Sequence, residues 1–357
     1  MNSLYHHRHG GQAESGEVIG NALDFSVNIS PVFPFGGSLP VDPSALQAYP
    51  SIDGRGVKEF YRRRFGLDDA TVLALNGAVE GIYLLPRALG IRRMLLLSPT
   101  FYEYGRAARI AGAETGFVRL SPCDGFAVPS LELLAGQLEG FDAFFLANPN
   151  NPTGTLFPPE LTMALASRFQ DKWFFVDEAF IQFLPDFQDA SLMKRVQAFR
   201  NIVVVHSLTK FYALPGLRLG ALVAHPDTIR RLCDFKEPWT VNVVAELVAG
   251  ELAGCGAYET VLMAMMTAER ERIVSALSQM PELHIAGGAA NFFLMKWRGE
   301  CSLDRLLAAF MQQGIMVRDC RNFEGLEDDY FRFAIRTPGE NDILLEAFQA
   351  DRQLRES

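Results

Sequence analysis

Between residues 54 and 245, short apolar runs alternate with stretches whose apolar positions recur every three to four residues. The runs are Val72–Leu75, Met94–Ser98, Thr115–Leu120, Ala143–Ala147, Trp173–Val176, Ile202–Val205 and Leu219–Val223. Several are apolar at consecutive positions, the pattern of strands covered by helices on both faces of a mostly parallel sheet. The intervening segments Val57–Phe65, Val79–Leu89, Tyr104–Ala111 and Pro159–Phe169 carry helical periodicity, and the last opens on a proline suited to a first turn. Strand, helix and strand in this succession predict an α/β unit with right-handed crossovers.

After about residue 241 the pattern changes. A long helical stretch, 241–280, is broken around the glycines of 253–256, and is followed by apolar runs at Leu283–Ile285 and Asn291–Trp297. A helix near Leu303–Gln313 and strands around Ile315–Arg318 and Tyr330–Ile335 complete a smaller α+β arrangement. Prolines between Pro31 and Pro43 exclude a regular element throughout, so this stretch carries the chain from one unit to the other. The expected division is a large α/β domain of residues 44–245 and a small α+β domain built from 1–43 and 246–357.

The length of 357 residues fits roughly two domains, and 49% apolar residues suffice for a sizeable core. The 33 basic and 42 acidic side chains give a net charge of −9 without a long basic block, which argues against nucleic acid and anionic membranes as partners. No apolar run approaches the roughly 20 residues of a membrane span, and the first residues lack the apolar core of a signal peptide. A cytoplasmic protein is expected. Five scattered cysteines, never in a C-x-x-C pair, argue against a disulfide framework and a zinc site. The His6, His7 and His9 cluster has no cysteine or carboxylate partner nearby, so no metal is expected.

In open α/β sheets, ligands bind beyond the carboxyl ends of the strands, and the residues there carry the chemistry of this sequence. Asn76-Gly77-Ala78-Val79-Glu80 opens a helix whose free N–H groups suit a phosphate, or forms a structural turn. Asn148-Pro149-Asn150-Asn151-Pro152-Thr153-Gly154 follows one run and Asp177-Glu178-Ala179-Phe180 the next. Ser207-Leu208-Thr209-Lys210 follows a third, with Arg218 eight residues further on. A carboxylate at a buried strand tip needs a cationic partner. Lys210 and Asp177 could be a solvated pair or a Schiff-base nucleophile with its counter-charge.

Taken in this order and spacing, with His9-Gly10-Gly11, Phe25 to Asn28, Tyr49-Pro50, Tyr102 and the stretch Tyr330 to Asn341, these pieces cover nearly the whole chain. They resemble the fold-type I pyridoxal-phosphate enzymes, in the branch of histidinol-phosphate aminotransferase and threonine-phosphate decarboxylase. The resemblance implies a fold of that type, with a mostly parallel seven-stranded sheet and a smaller α+β domain. It implies pyridoxal 5'-phosphate as cofactor, an electron sink whose ring nitrogen is kept protonated by a carboxylate. Lys210 would capture the cofactor aldehyde and carry protons, and Asp177 would face the ring nitrogen. Gly77, Ala78, Ser207 and Arg218 would hold the phosphate, Asn151 would bond the ring oxygen, and Tyr102 would stack on the ring. Phe101 is assigned to the core. Tyr49 would reach the cofactor phosphate of a neighbouring subunit, which implies a homodimer.

Arg318, Arg332 and Arg336 stand at strand positions, and Arg332 and Arg336, four apart on one strand, are expected to face the same side. Several arginines aimed at one region suit a substrate with two anionic groups. By resemblance Arg332 clamps the α-carboxylate with help from Asn28, while Arg318, with His9 and Arg336, meets a substrate phosphate. His-Gly-Gly near the N-terminus, Phe180 in place of a frequent Tyr, and the run Phe331 to Thr337 resemble the decarboxylase more than the aminotransferase. The implied reaction takes L-threonine O-3-phosphate to (R)-1-amino-2-propanol O-2-phosphate, which the family places in cobalamin side-chain synthesis. The alternative is a histidinol-phosphate-type aminotransferase using 2-oxoglutarate and glutamate. Leu75, His206 and Gln12 depart from the family pattern.

Overall fold

The computed structural model describes residues 22–326 and 329–356. Its strands are β1 (Leu23–Asp24), β2 (Val72–Asn76), β3 (Arg93–Ser98), β4 (Glu114–Arg119), β5 (Ala143–Ala147), β6 (Trp173–Asp177), β7 (Ile202–Ser207), β8 (Leu219–Ala224), β9 (Leu283–Gly287), β10 (Phe292–Trp297), β11 (Ile315–Met316), β12 (Arg318–Asp319) and β13 (Tyr330–Ala334). The helices are α1 (Arg55–Phe65), α2 (Ala78–Ala88), α3 (Glu103–Ile110), α4 (Leu131–Gln137), α5 (Pro159–Arg168), α6 (Phe187–Ala190), α7 (Pro226–Cys233), α8 (Val243–Leu252), α9 (Gly256–Leu277), α10 (Leu303–Gln312) and α11 (Pro338–Glu356).

Seven strands form one sheet in the order β2-β8-β7-β6-β5-β3-β4. All run parallel except β8, which is antiparallel to both of its neighbours. Alternation along each strand sends side chains to two separate cores. Leu95, Phe144, Phe174 and Val204 enter one cluster, while Leu96, Phe145, Phe175 and Val203 enter the other. Burial on both faces explains why these strands read as continuous apolar runs. Because β8 is reversed, its first residues lie at the same edge as the carboxyl ends of the parallel strands, and Arg218 immediately precedes it.

A second sheet, β12-β13-β10-β9, is antiparallel. The short β1 pairs with β11, Leu23 opposite Ile315, so the first described residues join the C-terminal part of the chain. The expected strand at Ile315–Arg318 is instead split between β11 and β12, in two different sheets. The long helical stretch is broken as its glycines suggest, into α8 and α9. Helix α8 lies on α1 so closely that a Cβ at Gly56 would fall 2.3 Å from the Glu246 carbonyl oxygen. We therefore propose drawing the boundary of the large unit after α8, at the 253–256 turn, rather than through the helix at 245. No helix of the described residues is long and apolar enough to cross a membrane.

Candidate active site

Beyond the carboxyl edge of the large sheet lies a cavity of about 530 Å³, closed on its other side by residues of the second sheet. Parallel pairing puts Asp177, the last residue of β6, opposite Ala147 of β5 and Val205 of β7. Lys210 follows three residues after β7 ends, and both it and Asp177 line the cavity. Asp177 is buried, and each of its carboxylate oxygens accepts one hydrogen bond: Tyr104 Oη donates to Oδ2 at 2.7 Å and the Ala179 N–H to Oδ1 at 2.9 Å. Loss of hydration raises its pKa to about 6, against those two hydrogen bonds and the charge of Lys210. Dehydration lowers Lys210 to about 8, with Arg332 and Arg218 adding positive charge and Asp177 acting in the opposite sense. Such an amine is far closer to a free nucleophile at neutral pH than an exposed lysine.

Glu178 turns away from the cavity. It is buried, accepts the Leu192 N–H at 2.7 Å and the Ser191 hydroxyl, and is raised to about 7 by dehydration. Of the Asp-Glu pair only Asp177 lines the cavity.

At one end, Ala78, Ser207, Thr209 and Arg218 converge. Ser207 and Thr209 share a hydroxyl hydrogen bond of 2.8 Å. Gly77, at φ +80°, opens α2, and a Cβ there would fall 2.6 Å from Arg218 Nη2. Only glycine leaves room for the guanidinium to lie over the helix N-terminus. At the other end Arg332, buried on β13, donates to Asn151 Oδ1 and to the Ser26 carbonyl at 3.0 Å. Burial lowers Arg332 to about 10. Arg318 is its cross-strand partner on β12 and donates to Asn322 Oδ1 at 2.8 Å. Asn28 lines the cavity nine-tenths buried, and neither atom of its amide has a hydrogen-bond partner. An orphaned amide of this kind costs on the order of 1–3 kcal/mol unless something polar meets it.

Several expected site residues stand elsewhere. Tyr102 is outside the cavity; its hydroxyl accepts from Arg109 at 3.3 Å in the neighbouring cleft. Phe101 lines the cavity in its place. The reason is helical phase: α3 begins at Glu103, so Phe101 and Tyr104, three apart, share the inward face and meet edge to face at 5.5 Å, while Tyr102 lies about 100° round. Arg336 is also corrected. Strand β13 ends at Ala334, so the same-side spacing with Arg332 does not apply, and the Arg336 guanidinium binds Glu340 at 2.7 Å and the Asp24 carbonyl at 3.1 Å. Tyr49 is 87% exposed with its ring 5.8 Å from that of Trp239, away from the cavity of its own chain. His9 and Gln12 lie outside the described residues. Leu75 is core, and His206 is buried behind the sheet edge with Nδ1 2.8 Å from the Tyr61 hydroxyl. Dehydration lowers His206 to about 3, so it is neutral.

Tyr104 was missed by sequence reasoning, although its spacing from Phe101 on a helix start was a usable signal. Tyr83, Glu103 and Arg106 also line the cavity, with Arg106 donating to the Tyr83 hydroxyl at 2.7 Å and that hydroxyl donating to Glu103. Nothing in their spacing marks them.

The profile of the family described as aminotransferase class I and II matches residues 44–348. The chain belongs to that family. A threonine-phosphate decarboxylase of Salmonella typhimurium is 35% identical over 97% of this chain and 97% of its own length. A histidinol-phosphate aminotransferase of Shigella boydii is 29% identical over 86% of this chain and 85% of its own. The crystal structure of histidinol-phosphate aminotransferase from Clostridium acetobutylicum superposes with a TM-score of 0.85 at 26% identity, covering 92% of this chain and 98% of that one. The fold is therefore fold-type I, and the protein is a pyridoxal-phosphate-dependent enzyme related to the threonine-phosphate decarboxylases. The residues present fit the cofactor: a depressed lysine, a buried carboxylate, and an arginine over a glycine-opened helix.

Proposed function

We propose that this enzyme decarboxylates a phosphorylated amino acid, L-threonine O-3-phosphate, releasing (R)-1-amino-2-propanol O-2-phosphate for cobalamin side-chain synthesis. One observation carries the choice: Arg318 and Arg332 are buried opposite each other on β12 and β13, and both line the cavity. Two guanidinium groups on one cavity wall suit a ligand that carries two anionic groups. Threonine phosphate brings a carboxylate and a phosphate. Histidinol phosphate brings only the phosphate, one anionic group for the two guanidinium groups.

Bound pyridoxal phosphate supplies an electron sink for the bond broken at the substrate's α-carbon. Lys210 provides the amine that holds the coenzyme aldehyde and, once displaced by substrate, the Nζ that carries a proton to the α-carbon after CO2 leaves. Its lowered pKa supports both roles. Asp177 keeps negative charge against the ring nitrogen. Ser207, Arg218 and the N–H groups from Gly77 and Ala78 hold the coenzyme phosphate, Asn151 binds the ring oxygen, and Phe101 covers the ring. Arg332 would fix the substrate carboxylate with Asn28 beside it, and so would orient the α-carbon for loss of CO2. Arg318 receives the substrate phosphate. Phe180 lines the cavity edge-on to Phe292 at 5.4 Å and offers no hydroxyl to the coenzyme.

We further propose a homodimer in which the exposed Tyr49, beside Trp239, contributes to the partner's site. The deciding experiment offers the holoenzyme threonine phosphate alone and, separately, histidinol phosphate with 2-oxoglutarate. Release of CO2 without a keto acid supports the proposal; glutamate formation without CO2 overturns it in favour of the aminotransferase.

A further inference from the structure

Tyr104 sits on the first turn of α3 and is fully buried. Its ring stacks on Phe145 at 4.2 Å and 22°, and its hydroxyl donates to Asp177 Oδ2 at 2.7 Å. The turn that carries it is clamped to α2, because Tyr83 of α2 donates to Glu103 and accepts from Arg106 of α3. Stacking and clamp leave the phenol one orientation, aimed at the carboxylate. Burial holds the phenol itself well above its ordinary range, so it remains a donor.

We propose that Tyr104 is a positioning residue that stabilises the ionised form of Asp177 and, through it, keeps the proton on the coenzyme ring nitrogen. The inference rests on the reading that Asp177 faces that nitrogen. One proton is shared between the carboxylate and the nitrogen, and a donor on the carboxylate lowers its proton affinity and leaves the proton on the ring. Remove the donor and the proton moves to Asp177 oxygen, with no change in total charge. The ring then withdraws electrons less strongly.

The test is Tyr104→Phe in the full-length protein, with two spectroscopic readouts. In the coenzyme-free protein, carboxyl-13C aspartate labelling follows the titration of Asp177, and its pKa is expected to rise by about one unit, a tenfold change in proton affinity. In the holoenzyme, the 15N shift of ring-labelled pyridoxal phosphate is expected to move toward that of an unprotonated pyridine. kcat is expected to fall about tenfold with KM within about twofold. Site-specific 3-fluorotyrosine at 104, a stronger donor of nearly the same shape, is expected to lower the Asp177 pKa, and it serves as the test if the Phe variant does not fold. An Asp177 titration unmoved by either change overturns the proposal and leaves Tyr104 as packing. A titration that moves while the ring shift stays fixed locates the failure in the Asp177 reading instead.

Discussion

Arg318 and Arg332 face each other across the antiparallel pair β12–β13, both buried, on the wall of one cavity. Burial holds Arg332 below its ordinary range, and the charge of Arg318 acts in the same sense. Both guanidinium groups are placed to meet a ligand with two anions. Arg332→Ala is expected to lower kcat/KM by about 10²–10³, the worth of a charge-assisted clamp, and Arg332→Lys is expected to restore little, since a point charge cannot replace the planar fork. Arg318→Ala is expected to erase discrimination between phosphorylated and unphosphorylated threonine while raising KM. Steady-state kinetics on the two amino acids check both; equal preference in wild type and Arg318→Ala would remove the phosphate assignment.

Arg336 gives the contrast. Its guanidinium closes on Glu340 and the Asp24 carbonyl, and its N–H donates to Asn341 Oδ1 at 2.9 Å. These contacts tie the start of α11 to β1 and involve no cavity atom. Arg336→Ala is expected to lower thermal stability by about 1 kcal/mol, a part-buried ion pair with a carbonyl contact, and to leave KM for the phosphorylated substrate within twofold. A tenfold rise in KM would return Arg336 to the substrate site.

Strand ends were legible because both faces of the large sheet are buried: the apolar runs stop where the chain leaves the sheet, Asp177, Asn151, Ser207 and Lys210 follow those stops, and Arg218 stands just before the reversed run. The structure brings all five to one cavity. What escaped the sequence was phase and closure. The resemblance puts Tyr102 on the ring, whereas Phe101, three residues before Tyr104, is the aromatic that lines the cavity. Arg336 was placed on β13 because nothing in Ala334-Ile335-Arg336 marks the strand's end. The Tyr104 hydrogen bond depends on how α3 lies against the sheet, a tertiary fact that no local pattern encodes.

The exchange of the two aromatics makes its own prediction. Phe101→Ala is expected to raise the dissociation constant of pyridoxal phosphate about tenfold, by removing one aromatic face of roughly 1–1.5 kcal/mol, whereas Tyr102→Ala is expected to bind it as wild type does. Absorbance titration of coenzyme-free protein measures both; the reverse ranking would restore Tyr102 as the stacking residue.

The coenzyme-free protein carries the cost of its own site at neutral pH. Asp177 is raised to about 6 from 3.8, so the stability associated with its neutral form is complete below 3.8 and is lost as pH rises through about 6. Lys210 is lowered to about 8 from 10.5, so its contribution is complete above 10.5 and is lost as pH falls through about 8. Between pH 6 and 8 both losses are in full. Buried His206 acts in the opposite sense to Asp177 in acid, which makes the difference between variants the cleaner measure. Asp177→Asn without coenzyme is expected to be about 1–3 kcal/mol more stable than wild type at pH 7, with the gap closing below pH 4. Denaturant melts at pH 3.5, 5 and 7 check it; a gap independent of pH would show that Asp177 is not raised.

Gly77 ties coenzyme affinity to backbone geometry. At φ +80° it precedes the first turn of α2, whose Ala78 lines the cavity, and the missing Cβ leaves the space that Arg218 Nη2 occupies, 2.6 Å from where that atom would be. Gly77→Ala therefore imposes two penalties at once: a positive-φ extended conformation essentially confined to glycine, costing about 1–3 kcal/mol for a residue with a side chain, and displacement of the guanidinium from the helix N-terminus. Arg218 itself holds a positive φ of +59°, so its backbone has little freedom to give way, and the shift must fall on the side chain. The proposed phosphate site then loses its bidentate partner. Pyridoxal phosphate binding by Gly77→Ala is expected to weaken about 30–100-fold, and binding of unphosphorylated pyridoxal to weaken by threefold or less. Titrations with the two aldehydes, compared with Arg218→Ala, check the assignment. Equal losses for both aldehydes would mean that this turn does not hold the phosphate.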